Sequence, residues 1–269
     1  FSITFAAAHL NIPVAHIQGG ERSGSIDESL RHAMSKFSNF HFVATKEAKR
    51  RLVKMGEKAS DIFVVGCPSI DALLEAENVS KSKMIKKYKF DFNQKYLLCI
   101  QHPVTTENNN SRKQIKETLT ALKKINIPVF FIMPNNDSGF KQIVDEIKFS
   151  NFKHVNTLTL AEYKMILKNC FLLIGNSSSG IHEAATFRKP VINIGSRQVN
   201  RYKTFNVIDV DYDSKKILNK IKFILQNKNF HKKLSKIRNP YGNGTSSKKI
   251  LKLIKNLDLK RNTQKLNTY

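Results

Sequence analysis

The sequence predicts an α/β fold, in which helices cover mainly parallel sheets. Short apolar runs alternate with helical segments along most of the chain, which is typical of successive strand–helix–strand units. The polar clusters that stand out follow directly after apolar runs, where ligands bind in such folds. With 269 residues, 41% of them hydrophobic, the chain is long enough for one large or two medium domains.

The first part of the chain, up to residue 77, forms one series of elements. Alanines and a leucine favour a helix over 1–11, and Asn11 can end it. Asp27 and Glu28 suit the positive end of a helix over 27–36. The other predicted elements are strands at 12–17 and 41–44, a strand and turn over 62–68, a basic amphipathic helix at 46–55 and a helix at 69–76.

A lysine-rich polar stretch over 78–91, helical in its later part, marks the predicted domain boundary. Beyond it, strands are predicted at 96–100, 129–133, 152–155, 172–174, 191–194 and 207–210. Helices are predicted at 112–124, 137–147, 160–168, 214–226 and 248–257, with another from about 181. We therefore expect doubly wound domains at 1–77 and 78–245, followed by a C-terminal helix and tail at 246–269.

The net charge of +25 invites a nucleic-acid interpretation. The lysines, however, are spread along the chain and thicken only at 248–265, together with many Asn and Ile, as in a compositionally skewed genome. Aromatic residues are not interleaved with the basic ones, as a single-strand-binding face requires. We therefore expect no nucleic-acid partner, and basic faces of which some assist an anionic substrate.

Cysteine usage and hydropathy indicate a cytoplasmic protein without a membrane partner. Cys67, Cys99 and Cys170 are isolated in apolar contexts, as expected of buried reduced thiols. No CxxC or Cys/His cluster indicates a metal, no apolar run approaches the ~20 residues of a membrane span, and no signal peptide opens the chain. The chain lacks an initiator Met and opens in mid-pattern, so we expect its natural N-terminus to be missing.

The segment 172–185 carries the clearest ligand signal. An apolar run ends in Gly-Asn-Ser-Ser-Ser-Gly before a helix, and such a turn presents free N–H groups and a helix dipole to phosphate. Ser177 and Ser178 add hydroxyls, Gly180 lets the backbone approach a ligand, and the Glu183 carboxylate can hold ribose hydroxyls. An ordinary strand-to-helix turn with serine caps explains the same residues.

Two further groups of polar residues are candidates for chemistry. In the polar segment 16–32, Glu21, Asp27 and Glu28 can serve as acid and base on a sugar carbon, although a capping Asp27 that pairs with Arg31 explains the spacing more simply. His102 and Arg197 each follow a predicted strand. They suit a pyrophosphate, but a structural histidine and a surface arginine are the commoner cases.

Five sequence blocks carry a family resemblance: HIQGGERSGSIDESLRHA (16–33), VVGCPSIDALL (64–74), QHPVTTE (101–107), IGNSSSGIHEAATFRKPVINIGSRQ (174–198) and NPYGNGTSSKKI (239–250). They resemble UDP-N-acetylglucosamine 2-epimerases, most closely the UDP-hydrolysing branch used for sialic and legionaminic acids. The resemblance implies a GT-B-like fold of two Rossmann-like domains with the substrate between them. It further implies a UDP-sugar substrate, no metal or redox cofactor, and a homo-oligomer, either a dimer or a tetramer.

The hydrolysing members convert UDP-GlcNAc to free ManNAc and UDP, by anti-elimination of UDP and syn addition of water. By this resemblance Asp27 matches a catalytic carboxylate, His102 a histidine near the diphosphate, and Asp71 an active-site aspartate. The residues that match the UDP-binding set are Ser177, Ser178, Glu183 and Arg197, and we add Gln18, Arg31 and Gly180 as substrate-binding candidates.

The sequence departs from the family in two respects. Gln18 stands where many members have a Glu assigned to acid/base chemistry, and since Gln cannot exchange a proton, Glu21 is our candidate for that role. The family's first domain starts well upstream, so we expect an incomplete first domain and a chain that is inactive or nearly so.

Two other hypotheses for the function remain: a GT-B glycosyltransferase that passes the sugar to an acceptor, and a non-catalytic basic binder of polyanions.

Overall fold

The computed structural model describes residues 1–24, 27–259 and 264–265. Its helices are α1 Ser2–His9, α2 Asp27–Phe37, α3 Lys46–Lys54, α4 Pro68–Glu75, α5 Lys81–Tyr88, α6 Ser111–Leu122, α7 Phe140–Phe149, α8 Leu160–Asn169, α9 Ser179–His182, α10 Ser214–Gln226, α11 Lys228–Leu234 and α12 Ser246–Ile254. Its strands are β1 Ala15–Ile17, β2 Phe40–Val43, β3 Ile62–Val64, β4 Leu97–Ile100, β5 Val129–Ile132, β6 Lys153–Val155, β7 Leu172–Gly175, β8 Val191–Ile194 and β9 Val207–Val210. The predicted α/β alternation is confirmed, and α11 is an element that the sequence pattern did not predict.

Two compact units make up the chain. The first comprises Phe1–Glu75 and Pro240–Tyr269, and the second comprises Ala76–Asn239. The helix α12 therefore packs with the first unit. The domain limits that the sequence predicts, at 77 and 245, stay predictions.

The first unit is built on the parallel sheet β1-β2-β3. All four residues of its central strand β2 are buried, because apolar side chains cover both faces of the sheet. Leu52 of α3 packs with Val43 in one cluster, whereas Ile250 of α12 packs with Phe42 in another. The C-terminal helix thus completes the core of the first unit.

In the first unit, the buried carboxylate of Glu57 contacts three basic side chains. Glu57 is 4% exposed, with His41 Nε2 at 3.1 Å and Lys36 Nζ at 3.0 Å from its oxygens. The ammonium of Lys265 also binds this carboxylate, and it donates to the carbonyl of Ser38 at 2.7 Å. Burial alone would raise the pKa of Glu57, but the hydrogen bonds from His41, Lys265 and Lys36 outweigh it and lower the pKa to about 2.

The second unit has a six-stranded parallel sheet in the order β6-β5-β4-β7-β8-β9. The chain runs outward in one direction from β4 and in the other direction from β7, so the order reverses between these two strands. This is the strand order of a Rossmann fold, whose ligands bind where the order reverses. One core cluster joins these strands to α6, α7 and α10.

None of the described helices combines the length and the apolar character that crossing a bilayer would require. Cys67, Cys99 and Cys170 are buried free thiols, as predicted. Their burial raises the pKa of each thiol, which keeps them protonated near neutral pH.

Candidate functional site

Asn176 organises the point where the strand order of the second unit reverses. It follows β7 directly, is fully buried, and donates its backbone N–H to the last carbonyl of β4, that of Ile100, at 3.1 Å. Its side chain binds the backbone of His102 twice. Oδ1 accepts from the His102 N–H at 2.7 Å, and Nδ2 donates to the His102 carbonyl at 2.8 Å. This pair of bonds fixes the chain after β4 against the chain after β7.

The loop after β8 is attached to the same asparagine. Gln198 Nε2 donates to the Asn176 carbonyl at 2.9 Å, and Arg197 Nη1 donates to it at 3.3 Å. The guanidinium of Arg197 also lies 4.0 Å from an oxygen of Asp137. Three strand ends therefore place His102, Asn176 and Arg197 together. We call these residues, with Ser177 and Ser178, the switch-point site.

The imidazole of His102 is neutral in this site. Burial is the main cause that lowers its pKa to about 4, and the positive charge of Arg197 contributes. Nδ1 lies 3.1 Å from the backbone nitrogen and 3.0 Å from Oδ1 of Asn135. Among the described residues no polar group bonds Nε2. His102 therefore offers one unoccupied ring nitrogen, while Arg197 supplies the positive charge.

The turn after β7 differs from the expected helix N-terminus. The helix was expected from about residue 181, but α9 begins at Ser179 and ends at His182, after one turn. A single turn aligns few peptide dipoles, so the dipole contributes less than predicted. Ser177 and Ser178 lie half-buried just ahead of α9, and Ser177 Oγ accepts from the Ser179 N–H at 3.3 Å. Both hydroxyls can still donate to an anion.

Gly180 has a packing role, and its predicted approach to a ligand stays a prediction. It is buried in α9, and a Cβ at this position would lie 2.8 Å from the side chain of Val191 in β8. The missing side chain thus lets α9 pack closely on the sheet.

In the first unit, the structure brings together three predicted residues after β1. Gln18 adopts φ +63°, donates its N–H to the Phe42 carbonyl at 2.8 Å, and places its amide nitrogen 2.5 Å from Cys67 Sγ. Glu21 is 7% exposed, and its carbonyl accepts from Arg31 Nη1 at 3.3 Å. We call Gln18, Glu21 and Arg31 the β1-loop cluster.

Asp27 is the first residue of α2 and is exposed. The neighbouring Glu28 contacts several side-chain and backbone groups. Its carboxylate accepts from the Ser23 N–H at 2.8 Å and lies 3.5 Å from Arg22 and 3.6 Å from His32. In the sequence, Glu28 was a candidate acid or base beside Glu21 and Asp27, and its place in the first turn of a helix was a signal for such contacts.

Asp71 makes a structural contact, and its role as an active-site aspartate stays a prediction. It is 3% exposed, and its Oδ2 accepts from the Ser247 N–H at 2.6 Å. Burial alone would raise the pKa of Asp71, but hydrogen bonds from Ser247 and Ser246 outweigh it and lower the pKa. The carboxylate thereby stabilises the N-terminus of α12.

Sequence reasoning gave the Asn176 side chain no role of its own in the site. Asn176 directly follows a strand and its closing glycine, and that position was the available signal. In the described part of the chain, no group of His, Cys, Asp and Glu side chains is placed to hold a metal ion.

A Rossmann-order sheet with His, Arg and Ser side chains at its reversal point places the chain among nucleotide-binding α/β proteins. The UDP-N-acetylglucosamine 2-epimerase family model matches residues 1–255, and the chain belongs to this family. It is 39% identical, over 94% of its length, to a UDP-N,N'-diacetylbacillosamine 2-epimerase (hydrolyzing) from Legionella pneumophila. It is 31% identical, over 97% of its length, to the polysialic acid biosynthesis protein P7 of Escherichia coli.

The chain spans 67% of the length of the Legionella protein and 68% of that of the Escherichia coli protein. Among solved structures, it is similar to UDP-GlcNAc 2-epimerase from Neisseria meningitidis bound to UDP-GlcNAc. The TM-score is 0.79 at 23% identity, and the match covers 94% of this chain and 72% of the other. The expected GT-B-like epimerase fold is thereby confirmed.

Proposed function

We propose that the whole protein is a hydrolysing UDP-sugar 2-epimerase. Its substrate is UDP-GlcNAc or a close derivative such as UDP-N,N'-diacetylbacillosamine, the sugar nucleotide named for the Legionella relative. The products are UDP and a free sugar inverted at C2. The observation that carries this proposal is the convergence of His102, Arg197 and the two serines around Asn176.

In this proposal the switch-point site holds the leaving UDP. The Ser177 and Ser178 hydroxyls and the Arg197 guanidinium bind the diphosphate, since a planar cation and hydroxyl donors match phosphate oxygens. His102 is uncharged near pH 7, so it contributes a hydrogen bond, and Arg197 balances the charge that grows on UDP. Glu183 binds the ribose hydroxyls.

The proton chemistry is assigned to the first unit. Elimination removes H2 of the sugar to a base while UDP departs, and hydration returns a proton to C2 as water adds to C1. We propose Glu21 and Asp27 for these transfers, because a carboxylate can exchange a proton near neutral pH and Gln18 cannot. Gln18 and Arg31 are assigned to binding the sugar nucleotide.

By resemblance to the family, we also propose that the protein is a homo-oligomer. Light scattering tests this proposal.

The first experiment measures UDP binding to the 269-residue chain by calorimetry. We expect S178A and R197A to weaken binding, each by about tenfold, as expected for a lost hydrogen bond to a charged group. Binding that survives both substitutions and falls steeply with salt for any polyanion would replace our proposal with non-specific polyanion binding.

The second experiment follows turnover by the whole protein in D2O, with each of the two sugar nucleotides, by NMR. We expect UDP release without an added acceptor, and deuterium at C2 of the free sugar. A product with hydrogen retained at C2 would contradict the elimination mechanism. UDP release that requires an acceptor would instead identify a glycosyltransferase.

A further inference from the structure

The loop that carries Arg197 is also attached to α9. This β8 loop spans 195–206, between β8 and β9. Near its start, Arg197 donates to the Asn176 carbonyl at 3.3 Å. Further along the loop, Arg201 Nη1 lies 2.7 Å from Nε2 of His182, the last residue of α9. The β8 loop therefore contacts the segment after β7 at two separate points.

The chemistry of the two side chains fixes the direction of the second contact. A guanidinium has N–H groups to donate and no acceptor. Arg201 is therefore the donor, and His182 Nε2 accepts with its lone pair, so the ring proton of His182 lies on Nδ1. A hydrogen bond from a charged donor is stronger than one between neutral groups, and this one is partly buried.

The backbone of His182 is held on both sides. Its N–H donates to the Ser178 carbonyl at 2.9 Å, and its carbonyl accepts from Asn239 Nδ2 at 2.6 Å. The same Asn239 nitrogen donates to Thr186 Oγ1 at 2.7 Å. Arg201 thus binds a residue that other contacts already fix, and the part that this hydrogen bond positions is the β8 loop.

The chain between Arg197 and Arg201 is folded into a turn. Val199 N–H donates to the Ser196 carbonyl at 2.9 Å, and Asn200 has a φ of +63°. A residue in the left-handed region fits a turn and not an extended segment. Because the turn is short and internally bonded, a change in the position of Arg201 moves Arg197 as well.

We infer that Arg201 is a positioning residue, which attaches the β8 loop to α9 and so holds the Arg197 guanidinium where the diphosphate binds. We call the hydrogen bond between Arg201 and His182 the loop latch. The inference rests on the proposed function, in which Arg197 binds the diphosphate and Glu183, the residue after His182, binds the ribose. The loop latch thereby joins the diphosphate-binding part of the site to the ribose-binding part, and Arg201 does not itself touch the ligand.

Lys203 provides a matched control in the same loop. Its ammonium donates to both carboxylate oxygens of Asp209, at 2.8 and 2.7 Å, so it attaches the loop to β9 instead of α9. R201M and K203M each remove one positive charge and keep an unbranched side chain. R201M alone of the two removes the loop latch. An equal loss of affinity in both variants would reflect charge and would overturn the inference.

A second pair of variants changes the acceptor. The amide oxygen of a glutamine can accept from Arg201 in place of Nε2, whereas a leucine has no acceptor. H182Q therefore keeps the loop latch and H182L loses it. His182 is not among the residues proposed to bind UDP, so a loss of affinity in H182L that H182Q does not share reports on the loop latch.

The experiment measures the Kd of the 269-residue chain for UDP by calorimetry. R201M and H182L weaken binding about threefold or more, as expected of a lost hydrogen bond from a charged group that acts indirectly. H182Q and K203M bind within about twofold of wild type. In the R197A background, R201M weakens binding by less than about 1.5-fold, because the guanidinium through which the latch acts is already absent.

The outcomes separate the inference from the proposed function. If R197A weakens UDP binding while R201M and H182L bind like wild type, the loop latch is overturned and the proposed function stands. A loss in R201M that persists undiminished in R197A also overturns the inference, since Arg201 would then act on the ligand directly. If R197A leaves UDP binding unchanged, the proposed function fails, and the inference with it. If R201M does not fold, the His182 pair decides, and equal affinities of H182L and H182Q overturn the inference.

Discussion

Replacing Asn176 by alanine removes the side chain that joins two strand ends. The substitution eliminates the bonds of 2.7 and 2.8 Å to the N–H and carbonyl of His102. It also leaves these two backbone groups, which are partly buried, without their partner. A lost hydrogen bond contributes about 1 kcal/mol and a stranded buried group about 1–3 kcal/mol, so we expect N176A to lower the free energy of unfolding by about 2–4 kcal/mol.

Asn193 offers a control of the same residue type. It is 2% exposed, lies on β8, and donates one hydrogen bond, at 2.7 Å, to Asp209. Its amide bonds Asp209 and not the backbone of His102, so N193A removes a comparable volume from the same sheet without detaching that segment. We expect N193A to lower stability by about 1 kcal/mol and to leave UDP affinity near that of wild type.

Scanning calorimetry and UDP titration test this pair of variants. In a unit of this size, about 1 kcal/mol shifts the Tm by roughly 2–4 °C, so N176A is expected to fall several degrees below N193A and to bind UDP at least about tenfold more weakly. The reasoning is refuted if N176A is no less stable than N193A and binds UDP with the wild-type Kd. In that case Asn176 would not hold the switch-point site together.

Three further predictions concern packing, capping and pH. G180A should lower stability by about 1–3 kcal/mol through overpacking against β8, and a Tm at or above wild type would contradict the packing role. D71A should lower stability by about 1 kcal/mol through loss of the α12 cap while UDP affinity stays unchanged; a large loss of affinity would show that Asp71 takes part in binding. Stability should fall as pH drops from 6.5 to about 4, because folding lowers the pKa of His16 and His102 to about 4 and the unfolded chain takes up their protons first. Below pH 4.5 it should fall further, because the pKa values of Glu57 and Glu162 are lowered to about 2, and E57Q should show a smaller second decline in Tm than wild type.

The sequence was informative where structure depends on local pattern. Apolar runs, and the turn residues that bound them, located the strands. Because parallel strands end at a common edge, the pattern also indicated that His102, Ser177 and Arg197 would meet. Their common attachment was not predictable, because Asn176 acts on His102 across 74 positions of sequence. An asparagine in a serine-rich turn carries no local sign of such a contact.

Two further residues make structural contacts that the sequence pattern did not predict. The Asp71 carboxylate accepts a hydrogen bond from Ser247, 176 positions away. The small size of Gly180 is required by a side chain on β8. Both contacts are long-range, so a local pattern could not predict them.

The path of the chain through the first unit makes the second unit an insert. The chain leaves the first unit at Glu75, the last residue of α4, and re-enters at Pro240. Just after re-entry, the Tyr241 carbonyl accepts from the N–H of Cys67, immediately before α4. The two ends are therefore separated by little more than the length of this eight-residue helix, about 12 Å. A short flexible linker can span that gap, so replacing the second unit by such a linker would leave the first unit one continuous polypeptide.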